Sequence, residues 1–360
     1  MIEQTDTVGA LELMSQPAFC VKDGMITQVN RAARSYLIEP NTPVAPLLGD
    51  AAEEYAQFDQ GCLYLTLRLA YQQFSASVTP VNGVDVFVLD PEGDHPALRA
   101  MALAAQELRN PMSDLMAIAD RLFPELERSS DERTRTQILH MNRSLYQIMR
   151  VVFNMADASR YAQQMMPRQL SQNICSILDD IFKKAASAVS HSQITLRYQG
   201  LQEKIFTLVE EEKLERAVLN MISNAIKFTE QGGTIEAQLI RRENRLYLSV
   251  QDNGTGISGD IISNLHRHYQ RTPTLEDARC GLGLGMSMVR ACAAAHGGTV
   301  LITRPEGGGT RITMTIAIRQ GRESTLRTAI LRPDYAGERN HCLLELSECL
   351  PVELYSTDIL

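Results

Sequence analysis

Apolar residues change their spacing several times along the chain. Over residues 1–96 they fall in short, roughly alternating runs: AFCVK and MITQV, and later LYLTLRLAYQQFSASVTPV and VDVFVL. Alternation over such lengths predicts half-buried strands. Asp23-Gly24 and Asn82-Gly83 lie between pairs of these runs and are hairpin signals. A helical stretch, Val8 to Met14, and the periodic RAARSYL complete a small α+β domain with an antiparallel sheet. The breaker cluster PEGDHP ends it.

Over residues 97–168 the period lengthens. Leu98, Ala102, Ala105, Leu108, Met112, Leu115, Ala119 and Leu122 recur in steps of three and four. Phe123-Pro124 is expected to break this helix. A second pattern then runs through Ile138, Met141, Leu145, Ile148, Val152 and Met155. The two predict a helical hairpin, with Pro111 kinking the first helix. One hairpin cannot surround its own apolar stripes, so pairing with a second copy as a four-helix bundle, a homodimer, is the economical expectation.

Residues 169–320 mix helix patterns (174–188, 212–228, 284–295) with the strand patterns ITLRY, TIEAQLI, RLYLSVQD, TVLITR and TRITMTIAI. Such a mixture predicts an α/β two-layer sandwich. The tail, 321–360, carries the apolar run CLLELSECLPVELY, which the pattern leaves open between strand, helix and docking segment. The fold class expected is α+β, in several domains.

Composition narrows the function classes. The 360 residues suggest two or three domains, at about 150 residues each. A net charge of −8 argues against nucleic-acid binding, which needs a clustered basic patch. No window approaches an uncharged apolar membrane span, and the acidic N-terminus does not read as a signal peptide. Seven scattered cysteines without CxxC fit reduced thiols, so a cytoplasmic location is expected.

Three motifs carry candidate chemistry. In LERAVLNMISNAIKF, Asn220 and Asn224 share a helical face and Lys227 continues it. Carboxamide oxygens and a cation on one stripe suit a hydrated Mg²⁺ that bridges phosphates. Taken alone, such a stripe is more often a solvated face. In QDNGTGI, Asp252 ends a strand pattern before Gly254 and Gly256, and could accept a hydrogen bond from an exocyclic amine or merely close a turn. In CGLGLGMSMV, Gly281, Gly283 and Gly285 precede a helix whose N-terminal N–H groups suit phosphate. Residues 258–280, between the last two motifs, are long enough for a nucleotide lid.

In order and spacing these motifs resemble the ATP-binding domain of sensor histidine kinases, which is shared with gyrase-type ATPases. Residues 220–229 match the family's N box, and 252–257 and 281–289 match its glycine boxes. HGGTV and GGGTRITMTI match its closing strands. The resemblance implies that Asn224 binds Mg²⁺, Asn220 stands at the base-like position and Lys227 touches phosphate. It also implies that Asp252 accepts from adenine and that Gly281, Gly283 and Gly285 wrap the phosphates of ATP. HRHYQR stands where the family has a Phe-rich lid box, and His296 reads as structural. The hairpin resembles the family's dimerisation and phosphotransfer domain. Glu107, Leu108, Arg109, Asn110 and Pro111 match its signature, but Gln106 replaces the phosphoacceptor His. The N-terminal segment is similar to a PAS sensor, with N-x-A-A after its strand-turn-strand.

An amide nitrogen has its lone pair delocalised and does not attack a γ-phosphate, so no autophosphorylation is expected at position 106. Glu107 then lacks the partner it orients in the family. Three outcomes compete: a relocated acceptor at His140, dephosphorylation of a cognate response regulator with Asn110 positioning water, or a pseudokinase that signals as an ATP-responsive dimeric scaffold.

Overall fold

The four alternating runs form the five strands of an antiparallel sheet in the computed structural model, which describes residues 11–12, 14–69, 72–91, 96–162, 169–256, 284–319 and 339–357. The strands are β1 (Ala18–Lys22), β2 (Met25–Val29), β3 (Cys62–Leu69), β4 (Gln72–Val81) and β5 (Val84–Pro91), in the order β2-β1-β5-β4-β3. Both hairpin signals form turns. Asp23 and Gly24 have φ of 50° and 75°, and Asn82 and Gly83 have 51° and 77°, the left-handed pairs that match strand twist. Asn30 is buried and caps helix α1 (Arg31–Arg34) by accepting from the Ala33 N–H at 2.8 Å. Its amide also donates to the Gln16 carbonyl at 2.8 Å, tying the helix to the chain before β1. Helices α2 (Ala45–Leu48) and α3 (Ala52–Ala56) lead into β3. Of the expected helix from Val8 to Met14, Leu11, Glu12 and Met14 fall within the described residues; Leu11 and Glu12 are helical and Met14 is not.

The hairpin consists of α4 (Pro96–Ser129) and α5 (Glu132–Ala162). The break expected at Phe123-Pro124 does not occur. α4 continues through both Pro111 and Pro124. The apolar stripe explains this, because Ala119 and Phe123 bury against Ile138 of α5 across the position of the lost N–H. One turn later Glu127, buried, continues the inward face.

In the remaining sequence α6 (Ile174–Val189), α7 (Glu211–Phe228) and α8 (Leu284–Ala295) bury apolar faces against β7 (Thr195–Gln199), β9 (Thr234–Arg242), β10 (Arg245–Asp252), β11 (Val300–Thr303) and β12 (Arg311–Ala317). β7 runs parallel to β9, whereas the other pairs are antiparallel. Two strands absent from the sequence pattern, β6 (Leu170–Asn173) and β8 (Phe206–Val209), pair as a short ribbon. They are too short to show a period.

The two sheets are one. β11 pairs antiparallel with β3, giving the order β2-β1-β5-β4-β3-β11-β12-β10-β9-β7. The described part of the tail, 339–357, forms α9 (His341–Glu345) and a 3₁₀ turn (Val352–Tyr355), and among these residues there is no strand. Its Cys342, Leu343, Leu344, Leu346, Leu350, Leu354 and Tyr355 join a core made by α4 to α8 and the sheet. Among the described residues no helix is long and apolar enough to cross a membrane.

Candidate functional site

α7 is amphipathic by the steps of its apolar residues. Leu214, Val218, Met221, Ile222 and Ala225 bury on the sheet side. The polar stripe is enclosed as well. Asn220 and Ser223 are buried, while Asn224 and Lys227 are half-buried. The Asn220 amide donates to the Arg216 carbonyl at 2.8 Å, and its oxygen accepts from Arg150 of α5 at 3.1 Å. Arg150 also reaches the Ser223 hydroxyl at 3.3 Å.

Two segments meet α7, and a third closes on the first of them. At its C-terminal end, the Thr255 N–H donates to the Phe228 carbonyl at 3.3 Å. A β-carbon on Gly254 would run into that same carbonyl, so only glycine lets the loop after β10 approach so closely. Gly256 has a φ of 72°, the left-handed region. At the other end of the stripe, a β-carbon on Gly285 would lie 2.5 Å from the Asn220 amide oxygen, which brings the start of α8 onto the N box. The segment that closes on the loop after β10 is GGGT, before β12. A β-carbon on Gly309 would meet the Asp252 carbonyl.

Asp252 ends β10 almost fully buried. Its Oδ1 accepts from the N–H groups of Gly254 at 3.0 Å and Thr310 at 3.2 Å. Burial raises its pKa above the ordinary aspartate value, opposed by those two N–H donors. The adjacent Thr310 hydroxyl is buried and finds no hydrogen-bond partner among the described residues. A buried carboxylate beside an unpaired hydroxyl, under a glycine cradle, fits a flat ligand that carries an amine and a ring acceptor. Adenine has both.

The structure thus brings together Asn220, Asn224, Lys227, Asp252, Gly254, Gly256 and Gly285. Gly281, Gly283 and the 258–280 segment lie outside the described residues. Gln106, Glu107 and Asn110 are exposed on α4, and His140 is exposed on α5. His296 is buried. Its Nδ1 lies 2.8 Å from the Cys292 carbonyl, and its Nε2 accepts from the Glu210 N–H at 3.2 Å, a structural tie.

Sequence reasoning missed several residues. Thr310 follows three glycines, a visible signal, but only the fold sets its hydroxyl beside Asp252. Arg150, Arg216, Glu345 and Glu348 are missed because their partners are remote in sequence. The Arg216 Nε donates to the Glu345 Oε1 at 2.8 Å, and Arg216 also pairs with Asp157. Lys227 pairs with Glu348, so it is not free.

Residues 209–320 match the family model described as histidine kinase-, DNA gyrase B- and HSP90-like ATPase. The chain is similar to an uncharacterised sensor-like histidine kinase of Rhizobium meliloti, 29% identical over 61% of this chain and 42% of that one. It is also similar to histidine protein kinase DivJ of Caulobacter vibrioides, 26% identical over 61% of this chain and 37% of that one. The chain therefore spans less than half the length of these two curated relatives. Among solved structures, full-length ShkA in complex with AMPPNP superposes with a TM-score of 0.49 at 21% identity, covering 62% of this chain and 46% of that one.

Proposed function

We propose, on the premise that the chain belongs to the sensor histidine kinase family, that it is a two-component signalling protein whose α7, DNG loop and GGGT loop hold Mg-ATP. The observation that carries this is the buried Asp252 carboxylate beside the orphaned Thr310 hydroxyl. Asp252 would accept from the adenine amine, and Thr310 would stand beside it for the neighbouring ring acceptor. Lys227 would meet phosphate, Asn224 would hold Mg²⁺, and Asn220 would stand at the base-like position. The ion would neutralise phosphate charge when bound.

Calorimetry with Mg-ADP and Mg-ATP tests this reading. Asp252→Asn exchanges a charged acceptor for a neutral amide, a loss of about 1.5–3 kcal/mol, so binding should weaken tens-fold. No heat from well-folded wild-type protein at millimolar nucleotide would remove the reading.

The chain would act as a cytoplasmic homodimer, with a PAS-like sensor before the hairpin and a response regulator as partner. Asn30, at the head of N-x-A-A, caps α1 and supports the PAS-like reading. Gln106 supplies no nucleophile, so we read the protein as deficient in autophosphorylation. Gln106→His should yield an acid-labile, base-stable phosphoryl group if the rest of the machinery is intact. Labelled wild type would refute the deficiency, and loss of that label in His140→Ala would locate a moved acceptor.

A second reading, dephosphorylation of the regulator, draws support from Asn110. It is exposed one turn beyond Gln106, where its amide can reach a docked protein and orient water. Faster decay of a phosphorylated regulator, lost in Asn110→Ala, would favour it over a scaffold without turnover.

A further inference from the structure

The N-box stripe already holds two carboxylates, and both come from the tail. Glu345 is fully buried. It takes the Arg216 Nε at 2.8 Å, faces the Arg150 Nε at 3.5 Å and accepts from the Asn220 amide at 3.4 Å. Glu348, one turn on, pairs with Lys227 and lies 3.1 Å from the Arg150 Nη1. Asn224 lies between Asn220 and Lys227 on this face, so the tail's acids flank it.

The segment is fastened from outside the stripe too. Arg143 of α5 donates to the Ser347 carbonyl at 2.9 Å and the Glu348 carbonyl at 3.1 Å, and Gln147 donates to the Ser347 carbonyl at 3.1 Å. The Asn142 amide donates to the Tyr355 carbonyl at 2.8 Å, and the Tyr146 and Tyr355 rings meet edge-on. Those α5 residues hold the tail, while its acids hold α7.

We propose that residues 339–357 are an intramolecular competitor of nucleotide, in which the carboxylates of Glu345 and Glu348 take the Asn220 amide and the Lys227 ammonium that Mg-nucleotide would use. This rests on the reading of α7 as a nucleotide-binding element. One lysine ammonium cannot serve Glu348 and a phosphate at full strength, and Asn220 is committed to Arg150 and Glu345. Nucleotide and tail are therefore coupled negatively, and each weakens the other by the same factor. The tail also fixes the ATP-binding region against α5, so its release frees that region from the hairpin.

Calorimetry with Mg-ADP on the full chain tests this with two variants. Glu348→Ala removes the acid at Lys227. Arg143→Ala loosens the tail from α5 and touches no nucleotide-site residue. Both should tighten Mg-ADP binding about tenfold, the scale of one charge-assisted hydrogen bond. Glu353→Ala removes an exposed tail charge and should leave affinity unchanged. Saturating Mg-ADP should also speed amide hydrogen exchange at Leu346, Cys349 and Leu350.

Equal affinity in wild type, Glu348→Ala and Arg143→Ala overturns the competition and leaves the nucleotide reading standing. Tightening by Glu348→Ala alone, without faster exchange in the tail, reduces the effect to local charge and overturns it as well. No binding by any of the folded proteins removes the nucleotide reading and this inference with it.

Discussion

His296 shows how single side chains hold this fold. Its Nδ1 faces the Cys292 carbonyl and its Nε2 takes the Glu210 N–H, so the neutral ring is fully satisfied and the charged ring is not. Burial pushes its pKa below the ordinary histidine value. The unfolded chain then takes up a proton first, near pH 6.5. The stabilising contribution is whole above that pH and is lost as pH falls toward the depressed folded value. Denaturant midpoints should drop between about pH 7.5 and about pH 5.5, and His296→Gln should flatten part of that slope. An unchanged slope in the variant would assign the loss to another group. At this scale the sequence was legible where chemistry recurs within one helix or turn, as at Asn220, Asn224 and Asp252. It was silent on Thr310, whose meaning comes from a neighbour on another strand.

Elements follow the same division. The end of β10, the extent of α8 and both Asx-Gly turns are written in local pattern. Pro124 misled because a helix-breaking residue was weighed without the partner helix, whose Ile138 keeps Phe123 buried. The hairpin's other face remains open. Leu108, Leu115, Ile118, Leu122 and Leu126 of α4 are each between 43% and 50% exposed, at steps of seven, three, four and four. A stripe of that length argues for a covering surface, and a second hairpin has the right period. Leu115→Glu should give a monomer by sedimentation equilibrium while circular dichroism stays helical. A dimer of unchanged stability would place the interface elsewhere.

At the scale of the molecule, β3 is the least local feature. It is buried on both faces. Cys62 and Tyr64 join the core of the ATP-binding region, and Leu63, Leu65 and Leu67 join the N-terminal core. The sequence run CLYLTLRL carries that two-sided burial, but nothing nearby names β11 as its neighbour, because pairing between distant segments leaves no periodic trace. Just before β3, Gly61 has a φ of 94°, and a β-carbon there would run into the Ile302 carbonyl. Gly61→Ala should therefore strain the joint by about 1–3 kcal/mol and split calorimetric unfolding into two transitions. A single unshifted transition would show that the joint tolerates the methyl group. The seam has a mechanical corollary. Sliding β3 by one residue against β11 would turn Tyr64 toward the wrong interior and Leu63 toward the other, so small slippage is forbidden. A displacement of the first sheet can travel intact through the ladder or unzip it, with no graded setting between, which makes the seam a latch and not a bearing.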